Sequence, residues 1–201
     1  MKKRWIIWMV VLFSSLLLLY GCEEKNKGGI TREELIQQGW AKFDAGNYAD
    51  ASADFNAAIG MSADTNEAYL GLGWAELKQG KAGLAEKAFV TYLAKLPDEN
   101  DAKAGLVIAY DAQDKFENAI DQANAVLSSN STWSFSPHDS QINYLDLAYV
   151  LADNYSLTGN FSQSLAVVKQ YFDPNFNPDL GTYEGRVELA EKIYSLFKQV
   201  A

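Results

Sequence analysis

QQGWAKFDAGNYADASADF, residues 37–55, carries a pattern that returns 34 residues later. Gly39-Trp40-Ala41 recurs as Gly73-Trp74-Ala75. Gly46 maps to Gly80, Ala51 to Ala85, Phe55 to Phe89 and Ile59 to Leu93. These are sterically demanding positions, and each has a use in a pair of antiparallel helices. A small residue at Gly39 lets a neighbouring helix approach closely. Gly46 ends the first helix and allows the chain to reverse. Tyr48 wedges the turn, Ala51 keeps the two helices in contact, and Phe55 fills the core between units. Strand-like alternation is missing, and apolar residues recur at three- and four-residue spacing, so the unit is helical.

The pattern extends in both directions. Thr31-Arg32-Glu33-Glu34 has the S/T-x-x-E form of a capping box, which predicts a helix start. A third unit from Asn100 places Leu106, Tyr110, Phe116, Ala119 and Leu127 in phase, with Asp114 at the turn glycine and Ala123 at the large aromatic. Tyr155, Gly159 and Phe161 fit a fourth unit starting near Leu145, with Ser164 at the packing alanine. An insertion over SNSTWSFSPHDS precedes it, and its first helix is expected to begin earlier, at about His138 or Asp139. Pro174 and Pro178 interrupt the pattern, and a last amphipathic helix is predicted from about Thr182 to Val200.

The period and its residues resemble the tetratricopeptide repeat, a 34-residue helix-turn-helix unit. The resemblance covers roughly residues 32–172. It implies an all-α fold: a short right-handed superhelical stack of three to four units with a C-terminal capping helix. The expected units are residues 32–65, 66–99 and 100–133, an insertion at 134–144, a degenerate unit at 145–178 and the cap at 182–200. In that family the second, fifth, ninth, twelfth and thirteenth positions of each first helix line the concave groove. Carried over, these are Glu33, Ile36, Trp40, Phe43 and Asp44, then Glu67, Leu70, Trp74, Leu77 and Lys78. The third unit supplies Asp101, Ala104, Ile108, Asp111 and Ala112, and the fourth Asp146, Tyr149, Asp153 and Ser156.

The candidate partner-binding groove is therefore Ile36, Trp40, Phe43, Leu70, Trp74, Leu77, Ile108 and Tyr149, an apolar patch with an acidic border. Large apolar side chains left at a surface mark interaction sites, and Trp is enriched among hot spots. Two arrangements remain open. Either the groove holds an extended or helical segment of a partner, or it is filled by the chain's own last helix or by the insertion. Trp133 and Phe135 of the insertion offer a second contact if exposed, and pack on adjacent helices if not. His138 is expected beside the N-terminus of the following helix. Met61 and Tyr69 are read as core.

The start of the chain has a different character. Lys2, Lys3 and Arg4 precede the apolar run Trp5 to Tyr20, which is short for a membrane span of about 20 residues and has the form of a secretory signal. Leu19-Tyr20-Gly21-Cys22 resembles a bacterial lipobox, with Tyr20 bulkier than that position usually holds. The resemblance implies removal of residues 1–21, acylation of Cys22, and a polar tether over residues 22–30. An uncleaved anchor and a free thiol are the alternatives. Glu23, in place of the aspartate that retains many lipoproteins at the inner membrane, points to the outer membrane. Glu23-Glu24 also resembles a surface-export signal.

Charge excludes one partner class. Removing the leader would leave 14 Lys and Arg against 26 Asp and Glu, a net charge of −12. Nucleic-acid phosphates need a basic footprint instead. Catalysis has little to work with. One histidine, His138, provides neither a triad nor a zinc site, and no glycine-rich phosphate loop is present. No enzyme, cofactor or metal is expected. The function expected is a membrane-anchored scaffold or adaptor holding a protein or peptide partner in a bacterial envelope complex. The alternative is a glycan- or solute-binding accessory lipoprotein whose aromatics stack on sugar rings.

Overall fold

The computed structural model describes residues 29–200, so the leader, Cys22 and most of the tether lie outside the described residues. Residues from Thr31 onward form one compact unit. Its helices are α1 (Arg32–Asp44), α2 (Tyr48–Met61), α3 (Asn66–Lys78), α4 (Ala82–Leu93), α5 (Asn100–Asp111) and α6 (Phe116–Ser129), followed after a hairpin by α7 (Tyr144–Leu157), α8 (Phe161–Tyr171) and α9 (Tyr183–Val200). Thr31 and Glu34 complete the capping box that opens α1, each side chain bonded to the other's backbone N–H.

The helices pair as α1–α2, α3–α4, α5–α6 and α7–α8, and each packs on the one before and the one after. The four reversals inside the pairs share one geometry. Gly46, Gly80, Asp114 and Gly159 all have left-handed φ, between 56° and 79°. The N–H of the following residue reaches back five positions, as in Asn47 to Lys42 and Lys115 to Tyr110, both within 3 Å. This is the Schellman closure, which satisfies carbonyls that a helix end would otherwise leave orphaned. Asp114 adopts the conformation where the other three turns use glycine.

The period is set by aromatic rings clamped between glycines. A Cβ on Gly39 or Gly71 would lie 2.7 or 2.3 Å from the Phe55 ring, and one on Gly73 or Gly105 would lie 2.5 or 2.2 Å from Phe89. Each ring thus fills a slot between its own unit and the next. In the third unit Ala123 replaces the ring and Val107 stands where Gly39 and Gly73 stood, so volume moves from one wall of the slot to the other. Polar staples repeat with the same period. Gln79 and Gln113 each donate to the carbonyl four residues back. Ser164, at the alanine position of α8, is buried and donates its hydroxyl to the Ala152 carbonyl at 2.7 Å.

The first helices, α1, α3, α5 and α7, touch one another and form one wall of the stack. Helix α9 closes the end, packing Leu189, Ile193 and Leu196 against α7 and α8. The all-α stack and its terminal helix are as the repeat pattern implies. Three local expectations need correction. The insertion forms a two-stranded antiparallel hairpin, β1 (Ser134–Phe135) and β2 (Asp139–Asn143), rather than the start of a long helix. Helix α7 begins at Tyr144, because Asn143 and Asp146 form a second capping box there. Met61 is exposed at the end of α2, while Tyr69 packs against the core.

Candidate functional site

The wall built from α1, α3, α5 and α7 carries the predicted groove residues, and its two halves differ. At the α1–α3 end Ile36, Trp40, Phe43 and Trp74 are all buried, Trp74 to 1% exposure. Leu70 and Leu77 are half-buried against the same core. The side chains that cover Trp40, Phe43 and Trp74 belong to the hairpin. Phe135 is fully buried and stacks on Trp74, with ring centroids 4.3 Å apart and planes 18° apart. Its ring also lies 6.3 Å from both Trp40 and Phe43. His138 stacks flat on Trp40 at 3.6 Å and 7°.

Polar contacts fix the hairpin at three further points. His138 Nδ1 lies 3.0 Å from Asp44 Oδ1. Lys78 donates to Asp139 at 2.7 Å, and Trp133 Nε1–H donates to Asp101 at 2.8 Å. Asp44, Lys78 and Asp101 are groove positions of the repeat pattern, and so are the two tryptophans. The hairpin therefore contacts the residues that would otherwise contact a bound segment. Trp40 itself donates its indole N–H to Glu67 at 3.2 Å.

This geometry corrects the open-groove expectation for Ile36, Trp40, Phe43 and Trp74, which the chain seals itself. It equally corrects an exposed second contact at Trp133 and Phe135, which are 3% and 0% exposed. His138 does not sit at a helix N-terminus but on α1. The reason is apolar area: Phe135 and His138 of one short loop and Trp40, Phe43 and Trp74 of the wall leave water together. Each Å² of apolar surface so buried contributes about 25 cal/mol. The sequence signal was the density of aromatics in STWSFSPHDS, which read equally well as an exposed contact.

The other half of the wall stays open. Ile108 and Asp111 of α5, Ile142 of β2, Asp146, Tyr149 and Val150 of α7, and Phe197 of α9 line a cleft of about 280 Å³. Ile108 and Tyr149 are predicted groove residues. Phe197 was not foreseen, because nothing in the sequence shows that α9 folds back far enough to reach α5. Its ring lies 5.8 Å from that of Tyr149 and is half exposed.

Among the described residues the charged side chains lining the cleft, Asp111 and Asp146, are both acidic. Burial pushes the Asp111 carboxyl above the ordinary carboxylate range, offset in part by the Asn154 side chain and reinforced by Asp153 and Asp114. Burial also raises Asp146, against the Asn143 N–H that holds its charged form. Asp153 is raised by burial alone. The Tyr149 hydroxyl is pushed up by burial and by both Asp153 and Asp111. Among the described residues no Lys, Arg or His forms an ion pair with Asp111, Asp146 or Asp153. Lys78, the cation that acts on Asp146, is already paired with Asp139.

Among the described residues no group of three or more His, Cys, Asp or Glu is placed to hold a metal, and no helix is long and apolar enough to cross a membrane.

Comparison with known proteins agrees with this architecture. The sequence pattern of the tetratricopeptide repeat matches residues 36–100 and again residues 73–137. No curated protein matches the chain. Among solved structures, MamA residues 41 to the end from Desulfovibrio magneticus RS-1 is 18% identical over 71% of this chain and 74% of its own, with a TM-score of 0.60. MamA MSR-1 C2 is 18% identical over 85% of this chain and 98% of its own, with a TM-score of 0.63. TTC0263, a thermophilic TPR protein in Thermus thermophilus, is 21% identical over 83% of each chain, with a TM-score of 0.55. At these identities the likeness is one of fold. With the two pattern matches together spanning residues 36–137, half of its 201 residues, the chain belongs to the tetratricopeptide repeat family.

Proposed function

We propose that this chain is a membrane-tethered scaffold that holds a segment of a protein partner in the cleft between α5, α7 and α9. The single observation that carries the reading is that cleft. There the groove positions Ile108 and Tyr149 line an open cleft, whereas Trp40, Phe43 and Trp74 lie buried beneath the hairpin. Stacked helical repeats present concave surfaces of the kind used for binding. The sugar-stacking alternative loses its chemistry, because Trp40 and Trp74 no longer present a face.

Attachment is assigned to Cys22, through the acylation its sequence context implies, and the site of action to the bacterial envelope, at the outer membrane. More than one acyl chain would hold the domain firmly, since each buried CH₂ contributes about 0.8 kcal/mol. Residues 23–30 then serve as the leash. Cys22→Ser should move the protein out of the acylated membrane fraction; a variant that stays acylated and membrane-bound would refute the anchor.

The docking surface is tested by placing a photo-crosslinking amino acid at Tyr149, at Phe197 and, on the opposite face, at Leu84, then irradiating native membranes. The reading expects one discrete protein adduct shared by positions 149 and 197 and absent at 84. Adducts at 84 alone, or none at 149 and 197, would refute it.

A further inference from the structure

We propose that the occupant of the α5–α7–α9 cleft presents a cationic side chain, Lys or Arg, next to an aliphatic or aromatic one. The inference rests on the docking reading above and names the chemistry of its partner. At about 280 Å³ and open to solvent, the cleft has room for one or two side chains of a partner segment. Its walls are of two kinds. Ile108, Ile142 and Val150 supply aliphatic surface for a neighbouring apolar residue. Tyr149 and Phe197 supply an aromatic pair whose ring faces attract cations.

Charge selects between possible occupants. Asp111 and Asp146 line the cleft, and Asp153 acts on Asp111 and Tyr149 from the same helix face. These carboxylates are partly desolvated and, among the described residues, have no ion-pair partner. An acidic or neutral segment would leave them so, whereas an ammonium or guanidinium supplies the missing partner in a low-dielectric setting where the attraction is strongest. The aliphatic stem of Lys or Arg lies along Ile108 and Val150 while its head reaches the carboxylates. An acidic segment is thereby excluded by like-charge repulsion, which gives the groove a sign as well as a shape.

A randomised 12-residue peptide library is panned against the full chain in detergent, and the selected peptides are afterwards tested on the Asp111→Asn/Asp153→Asn double variant. Affinities of the selected peptides are then read by fluorescence anisotropy. The expected consensus has Lys or Arg adjacent to Leu, Ile or Phe. Its Kd should weaken at least tenfold on the double variant and again when the cation is replaced by norleucine. A consensus without a cation that still loses binding on Phe197→Ala overturns this inference while the docking surface stands. Binders indifferent to both sets of substitutions, or no enrichment at all, overturn it as well, and the photo-crosslinking pattern then decides the docking reading separately. Tetramethylammonium binding as tightly as the selected peptides would assign the cleft to a free cation and overturn the peptide partner.

Discussion

Phe135 is the side chain on which closure of the α1–α3 wall depends, and Phe135→Ala measures it. The ring is fully buried, stacked on Trp74 at 4.3 Å, and within 6.3 Å of Trp40 and Phe43. Truncating such a ring costs about 3–5 kcal/mol, the transfer energy of the lost atoms plus the cavity they leave. For a domain of this size each kcal/mol lowers Tm by about 2–4 °C, so the expected fall is roughly 6–20 °C. The assay is thermal denaturation followed by circular dichroism at 222 nm, with tryptophan emission recorded below the transition. The emission should shift to the red, because the Trp74 face that Phe135 covered becomes wet. A loss under about 1 kcal/mol, small against the range expected for core truncation, would show that the hairpin is a loosely held cover and would refute the sealing.

Three further outcomes follow from the same geometry. Gly71→Ala drives a Cβ to 2.3 Å from the Phe55 ring and should cost about 1–3 kcal/mol by overpacking, whereas Gly60→Ala, which meets nothing within 4 Å at the end of α2, should stabilise by about 0.5–1 kcal/mol; paired urea titrations check both. Asp114→Gly relieves a left-handed φ of 56° and should raise stability by about 1 kcal/mol, while Gly80→Ala at the equivalent turn should lower it by a similar amount, both read from denaturation midpoints. The raised carboxyls of Asp111, Asp146 and Asp153 bind protons more tightly folded than unfolded, so they oppose folding at neutral pH and this opposition fades as pH falls through their raised values. The Asp111→Asn/Asp153→Asn variant should therefore melt above the wild type at pH 7, with the gap narrowing toward pH 4 in calorimetry; a variant less stable at pH 7, or a gap independent of pH, would contradict the assignment.

The stack was legible because its determinants are local and periodic. The Gly39, Phe55 and Gly71 slot and its copy at Gly73, Phe89 and Gly105 repeat at a fixed interval, and the turns at Gly46 and Gly80 mark where each pair reverses. Even the departures were in phase, since Asp114 and Ala123 fall at the positions whose roles they modify. The hairpin was not legible as structure. Ser134–Phe135 and Asp139–Asn143 are too short to show alternation, and the strands gain their order from Trp40 and Trp74, roughly 60 to 100 residues away in sequence. The same non-locality hid Phe197, whose place beside Tyr149 depends on how the segment from Asp173 to Thr182 turns. Asp179 does this by pressing its carbonyl against α9, where a Cβ on Gly185 would lie 1.9 Å away. Residue type told which side chains belonged on the inner wall; long-range packing decided which of them stayed uncovered.

The central claim is that the chain seals Trp40 and Trp74 beneath its own hairpin and leaves the α5–α7–α9 cleft open for a partner. Fluorine NMR of the 5-fluorotryptophan-labelled protein, with resonances assigned by single Trp→Phe substitutions, tests it most directly. The account predicts no H₂O/D₂O solvent shift for the Trp40, Trp74 and Trp133 signals. It also predicts a new shift at Trp74 once Phe135 is replaced by Ala. A solvent shift at Trp40 or Trp74 in the unaltered chain, as large as that of the denatured protein, would contradict it.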